Sequence, residues 1–190
     1  GVPDLYQGTE FWDFSLVDPD NRRPVDFDAR KAALTGSSLK PDGDLLHEKL
    51  AEWKSGSIKQ HLIQKLLLLR QQRPLVFSEG NYLPLVVTGA LASHVIAFMR
   101  VHEGSAIISI VTRLPFALQQ ASGTDSQAAF HPVLSLSGLW QDTSIQLPDD
   151  SAMATNAWRD IVTGNSIQSQ GRHILLSDAM GVLPQAVLCN

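Results

Sequence analysis

The chain has 190 residues, of which 44% are hydrophobic and 18% charged, so it is too apolar for a disordered segment and long enough to bury a core. Its formal net charge of -4 gives no electrostatic reason to expect a nucleic acid or an anionic membrane as a partner. A single cysteine, Cys189, excludes an intrachain disulfide and favours a cytoplasmic location. The apolar runs are too short to span a bilayer, and no charged leader opens the chain.

The first part of the chain combines one short strand with three helices. The opening GVPDLY (1–6) is typical of a strand, and its start at Gly, inside an element, predicts an excised piece of a longer protein. After a polar loop, helices are predicted over 26–34, 42–54 and 57–73. Acidic residues cap the first two, and Ser57 with Gln60 forms a capping box for the third. Along that helix, Ile58, Leu62, Leu66 and Leu69 predict a buried apolar stripe.

After Pro74 the hydrophobic period changes from that of a helix to two, which is typical of strands. The predicted strands are 82–87, 93–101, 105–112, 144–148, 158–164, 173–178 and 182–189. A long polar loop is predicted over 119–130. Because short strands follow one another without helices between them, we predict an antiparallel sandwich. The whole chain is therefore predicted to be α+β, with one domain at 1–77 and another at 78–190.

The chain contains no sequence motif for nucleotide binding, metal binding or a serine nucleophile. Its six histidines have no close metal-ligand spacing, so we expect no metal ion and no cofactor. Cys189 is expected to be a structural thiol and not a nucleophile.

Side chains that suit a polyhydroxylated ligand are concentrated in residues 4–28. They are Tyr6, Gln7, Glu10, Trp12, Asp18, Asp20, Asn21, Arg22 and Arg23. Carboxylates and amides bind several hydroxyls at once, aromatic rings stack on the apolar faces of pyranoses, and arginine supplies a rigid fork of donors. A purely structural alternative stays open, in which DPDN (18–21) forms an Asx-type turn and both arginines pair with nearby acids.

The opening GVPDLYQGTE (1–10) resembles the eighth barrel strand of the alpha-amylase family, glycoside hydrolase family 13, where a G-x-P-x-x-Y-x-G-x-E pattern is usual. The Gln after Tyr, the tryptophan that follows and SLVDPDNRRPVDF (15–27) resemble, in particular, the branch that makes trehalose-ended glucans. KLLLLRQQRPLVFSEGNYLPL (65–85) and WRDIVTG (158–164) are similar to the C-terminal portion of that branch.

This resemblance implies that 1–77 is the end of a (β/α)8 barrel, with the eighth strand, a substrate-rim loop and helices, and that 78–190 is an antiparallel β-sandwich. It implies a retaining mechanism with two carboxyl groups about 5 Å apart. In that branch, the reducing-end α-1,4 bond of a maltooligosaccharide becomes an α,α-1,1 bond by intramolecular transglycosylation. The family's catalytic carboxylates all precede the eighth strand. The resemblance therefore implies that this chain has no catalytic residue and is inactive alone, and Glu10 and Asp20 do not fill that role.

The resemblance also implies a substrate-binding rim for maltooligosaccharide in the full-length enzyme. Its expected residues are Tyr6, Gln7, Trp12, Asp20, Asn21, Arg22 and Arg23. An unpaired strand at 1–6 would leave apolar area exposed, so self-association through this segment is a further expectation.

Two other functions stay open. The chain could be an independent glucan-binding β-sandwich that uses Trp140 and Trp158 as its platform, although a strand tryptophan is more often part of a core. It could also be the C-terminal part of another alpha-amylase-family hydrolase or isomerase.

Overall fold

The computed structural model describes residues 4–35, 43–121, 138–149 and 157–190. Residues 1–69 and 70–190 form two compact units. The first three residues of the predicted opening strand and most of the predicted loop 119–130 lie outside the described residues. Among the described residues, no helix has the length and apolar character needed to cross a membrane. The predicted domain boundary after residue 77 stays a prediction.

All three helices predicted for the first part of the chain form. They are α1 (Phe27–Thr35), α2 (Gly43–Ala51) and α3 (Ser57–Gln72), and short 3₁₀ turns lie at Asp20–Arg22 and Trp53–Ser55. The side chain of Asp26 caps α1, because its Oδ1 accepts a hydrogen bond from the amide of Ala29 at 2.9 Å. Residues 4–6 have no regular secondary structure.

The buried face of α3 is more polar than its sequence predicted. Ile58 and Leu69 are buried as expected, but Leu62 and Leu66 are half-buried. Three polar residues are instead buried on this helix: Gln60, His61 and Lys65. Burial, reinforced by the positive charges of Lys65 and Lys49, lowers the pKa of His61 to about 4. His61 is therefore neutral at pH 7.

The second unit contains two antiparallel sheets. Its strands are β1 (Asn81–Pro84), β2 (Val86–Thr88), β3 (Val95–His102), β4 (Ser105–Thr112), β5 (Ser144–Gln146), β6 (Ala157–Asp160), β7 (Ser166–Gln168), β8 (His173–Leu175) and β9 (Gln185–Cys189). The strand orders are β1-β3-β4-β9-β6-β7 and β2-β5-β8. Short helices lie at α4 (Pro74–Ser78), α5 (Pro115–Ala121) and α6 (Leu176–Ala179). The predicted α+β class with antiparallel sheets is confirmed.

Both sheets contribute to one hydrophobic core. Met99 and Ile108, from β3 and β4 of the larger sheet, have no solvent exposure. Ile145 and Ile174, from β5 and β8 of the smaller sheet, belong to the same buried cluster. The longest pairing joins β3 to β4 from Val95–Thr112 to His102–Ser105. Alternation of apolar side chains along these strands therefore places one face of each sheet in a shared interior.

Several element boundaries differ from the prediction. The predicted strand 82–87 is interrupted at the buried residue Leu85, so that β1 joins the larger sheet and β2 the smaller. Helix α3 ends at Gln72, just before Pro74, and Pro74 then opens a further short helix, α4, because proline suits the first position of a helix. The predicted strand 173–178 ends at Leu175, where α6 begins. Strand β7 was not predicted.

The segment WRDIVTG (158–164) has a structural role. Trp158 is buried, and the Oδ1 of buried Asp160 accepts hydrogen bonds from the amides of Val162 at 3.3 Å and Val187 at 3.4 Å. Its Oδ2 accepts one from the amide of Thr163 at 3.2 Å and one from the Thr163 hydroxyl at 2.6 Å. Burial raises the pKa of Asp160, against these hydrogen bonds. Asp160 thus ties the turn after β6 to β9.

Candidate substrate-binding site

Arg30, on α1, anchors the turn that carries the first candidate residues. Its guanidinium donates hydrogen bonds to the backbone oxygen of Gly8 and, at 3.3 Å, to the carboxylate of Glu10. The same group lies 4.8 Å from the ring centroid of Phe11, a cation–π geometry. The Arg30 carbonyl in turn accepts a hydrogen bond from Gln60 of α3 at 3.1 Å. One arginine therefore links the turn at 7–10 to two helices.

Trp12 is held by groups on and near α3. Its indole Nε1 donates to the carbonyl of Trp53 at 2.6 Å, so this donor is already used by the protein. The Nζ of Lys59 lies 5.4 Å from the Trp12 ring centroid and donates to the carbonyl of Phe11 at 3.2 Å. Trp12 is 39% exposed. It can therefore offer an apolar surface to a ligand, but not its N–H.

A glycine makes this close packing possible. Gly56 has φ +83° and precedes α3. A Cβ built on it would lie 2.7 Å from the amide nitrogen of Trp12 and 2.9 Å from the Cα of Phe11. The backbone around Trp12 thus approaches the start of α3 as closely as a glycine permits.

The segment DPDNRRP (18–24) contains the short 3₁₀ turn at Asp20–Arg22. The Arg22 guanidinium donates to Asp18 Oδ2 at 2.7 Å, and Arg23 pairs with Asp20. Asp20 also accepts a hydrogen bond from the amide of Leu16 at 2.9 Å. Both arginine side chains remain largely exposed, at 70% and 75%. The structural alternative therefore correctly described the local pairing, while the exposed guanidiniums keep donors directed to solvent.

The remaining candidates are exposed. Tyr6 is 45% exposed, and Gln7 and Asn21 are exposed as well. Within the described part of the chain, their side-chain polar atoms have no protein hydrogen-bond partner. A phenol and two amides in this state can donate to and accept from sugar hydroxyls.

The candidates fall into two groups by their contacts. Asp20, Arg22 and Arg23 share the turn at 18–23, whereas Trp12 is joined to Trp53 and Lys59. Within residues 4–35 and 43–69, no hydrogen bond or ion pair connects these two groups. The predicted assignment of these residues to a sugar-binding rim stays a prediction.

The burial of two tryptophans tests the alternative in which they form a glucan-binding platform. Trp140 is 0% exposed and Trp158 is 2% exposed, so the expectation that they form a glucan-binding platform is wrong. Both rings are large apolar surfaces whose burial stabilises the core, as is more usual for a strand tryptophan. Among the described residues, no three His, Cys, Asp or Glu side chains lie close enough to hold a metal ion.

Sequence reasoning missed Arg30. It lies on α1, and its partners Gly8 and Glu10 are 22 and 20 residues away in sequence. Basic residues in helices near acidic turns are common, so the position of Arg30 in the sequence did not indicate that it contacts this turn. Asp13 was also missed; hydrogen bonds from the hydroxyl and the amide of Ser15 hold the pKa of Asp13 below its ordinary value.

The fold and the site define an α+β chain with antiparallel sheets and an exposed, polar and aromatic loop region. The chain is 37% identical over 164 residues, 86% of its length, to a protein of Mycobacterium tuberculosis strain CDC 1551 / Oshkosh named "Putative maltooligosyl trehalose synthase". The protein of the same name from strain ATCC 25618 / H37Rv matches equally. The predicted resemblance to maltooligosyl trehalose synthase is therefore confirmed. No protein-family model matches the chain.

The match covers a small part of each relative. The aligned region is 16% of the length of each Mycobacterium protein. The chain thus spans about one sixth of the curated relatives that it resembles.

Proposed function

We propose that the chain is the C-terminal part of a maltooligosyl trehalose synthase of glycoside hydrolase family 13. The identity of 37% over 86% of the chain supports this proposal, and the 16% coverage of the relatives agrees with a part of a longer enzyme. In this proposal, residues 1–77 are the end of a catalytic barrel and 78–190 are a β-sandwich. The shared core of the two antiparallel sheets supports the sandwich.

The longer enzyme would act in the cytoplasm on maltooligosaccharides. It would convert the reducing-end α-1,4 bond to an α,α-1,1 bond by intramolecular transglycosylation, and would need neither a metal ion nor a cofactor. Its two catalytic carboxyl groups would come from the part of the enzyme outside these 190 residues. The present chain would supply the rim that positions the sugar.

The exposed groups described above would form that rim. Trp12 would offer an apolar surface for a pyranose ring, and its Nε1 hydrogen bond to Trp53 would fix the indole. Asp20, paired with Arg23, and the arginine fork of Arg22 would bind hydroxyls. Tyr6, Gln7 and Asn21 would add neutral donors and acceptors.

Turnover of maltopentaose by two proteins tests the proposal. The longer protein that carries this chain should consume the sugar's reducing ends, whereas the purified 190-residue chain should not. Reproducible turnover by the 190-residue chain would contradict the proposal that the catalytic carboxyl groups lie outside it. A longer protein that leaves maltopentaose unchanged would contradict the proposed activity.

A further inference from the structure

Lys59 lies in the first turn of α3, where a positive charge is unfavourable. The first turn of a helix carries the positive end of the helix dipole, so acidic side chains stabilise it and a cation weakens it. Helix α3 begins at Ser57 and has no acidic residue in its first turn. The helix itself therefore gains no electrostatic stability from a lysine at this position, and the contacts of the side chain have to account for it.

The ammonium of Lys59 contacts the segment that carries Trp12. Its Nζ donates to the carbonyl of Phe11 at 3.2 Å and lies 5.4 Å from the ring centroid of Trp12. A distance below about 6 Å is within the range of a cation–π interaction. The Lys59 side chain is half-buried, so its stem has less freedom than that of an exposed lysine. One ammonium thus holds two consecutive residues, 11 and 12.

The contacts of Trp12 restrict the side from which a ligand can approach it. Lys59 lies over one face of the indole, and the carbonyl of Trp53 accepts the hydrogen bond from Nε1 at 2.6 Å. The Trp12 backbone packs against Gly56, where an added Cβ would lie 2.7 Å from the Trp12 amide nitrogen. Trp12 nevertheless remains 39% exposed. The face of the indole opposite Lys59 is therefore the face left for a flat ligand.

We propose that Lys59 is a positioning residue that holds the Trp12 indole as a one-sided platform for a pyranose ring of the maltooligosaccharide. The inference rests on the proposed function, because it takes the ligand of this region to be that sugar. An indole that is already fixed loses little side-chain freedom when a sugar stacks on it, which favours binding. Lys59 acts through Trp12 and does not need to touch the sugar.

Calorimetric titration of the longer protein with maltopentaose tests this inference. Lys59→Met keeps an unbranched side chain of similar length but removes its charge. It should weaken binding about 2- to 10-fold, because the sugar then has to order the indole. Lys59→Arg keeps a cation and a donor and should bind within about 2-fold of the unaltered protein. Equal affinity in Lys59→Met and the unaltered protein would overturn the inference.

The matched control is Lys31→Met, because Lys31 is an exposed lysine on α1. This variant should leave the dissociation constant for maltopentaose unchanged. A loss of affinity in Lys31→Met as large as that in Lys59→Met would overturn the inference, because removal of any positive charge would then have the same effect.

A double-mutant cycle separates the positioning of Trp12 from a general effect of Lys59 on the fold. In a Trp12→Leu background the platform is absent, so Lys59→Met should cause no further loss of affinity. The same fold-loss of affinity in both backgrounds would overturn the inference, because Lys59 would then act independently of Trp12.

Turnover of maltopentaose, measured on the same preparations, separates this inference from the proposed activity. Turnover with unchanged affinity in Lys59→Met would refute only the role of Lys59, whereas binding without turnover would refute only the proposed activity. An unaltered longer protein that binds no maltopentaose would refute both.

Discussion

The pair of Arg22 and Asp18 offers a test that separates substrate binding from local stabilisation. Their side chains are 70% and 54% exposed, and an exposed ion pair contributes about 0–1 kcal/mol to stability. A hydrogen bond from a charged donor to a substrate hydroxyl contributes about 1.5–3 kcal/mol. In the longer protein, Arg22→Ala should therefore lower kcat/KM roughly 10- to 150-fold while changing the free energy of unfolding by less than about 1 kcal/mol.

The assay is maltopentaose turnover, paired with denaturant unfolding of the same preparations. Arg113→Ala is the matched control, because Arg113 is also an exposed arginine but lies outside the proposed rim. Arg22→Lys should be intermediate, since lysine keeps the charge and loses the planar fork. Unchanged kcat/KM in Arg22→Ala would refute the rim assignment and leave the local ion pair as the function of this arginine.

Three further predictions concern stability and are tested by unfolding of the isolated chain. Asp160→Ala leaves buried amides without their acceptor and should lower the free energy of unfolding by about 3 kcal/mol or more. The control Asp149→Ala removes an exposed ion pair and should lower it by less than about 1 kcal/mol. Equal losses in the two variants would contradict the role given to Asp160. Burial lowers the pKa of His61 in the folded chain to about 4, below its ordinary value of 6.5. The free energy of unfolding should therefore be highest above pH 6.5 and should fall by up to about 3 kcal/mol as the pH drops toward 4. His61→Leu should remove that pH dependence, and an unchanged slope would contradict the assigned burial. Gly56→Ala places a Cβ 2.7 Å from the backbone of Trp12. It should destabilise the chain more than Gly171→Ala, because Gly171 also has a positive φ, of 61°, but has open space around it. The reverse order would contradict the packing at Gly56.

Elements with strong local signals were predicted well from the sequence. The predicted strand 105–112 coincides with β4, where a run rich in isoleucine and valine follows the turn at 103–104. The third helix was predicted to within one residue, because a long apolar repeat marks it. The predicted capping box does not form, because the Ser57 amide donates to Ser55 Oγ and the Gln60 side chain donates to the carbonyl of Arg30. Strand β7 was missed because three residues are too few to establish a period of two. The break at Leu85 was missed because only tertiary pairing assigns β1 and β2 to different sheets.

The candidate site was predictable to the extent that its contacts are local. The spacing of Arg22 and Asp18 allowed an ion pair within one turn, and that pair forms. The anchoring by Arg30 and the hydrogen bond from Trp12 to Trp53 join residues 20 to 41 positions apart. Such contacts depend on how helices pack, and a single sequence carries no pattern for them.

The chemical linkage in the product of the longer protein tests the central claim most directly. After incubation with maltopentaose, NMR of the anomeric protons should show loss of the reducing-end signals and appearance of an α,α-1,1 linkage, with the chain length of the sugar unchanged. This outcome would place the parent of the present chain among the trehalose-forming enzymes. An increase in reducing ends with shorter sugars would contradict the account and indicate a hydrolase instead.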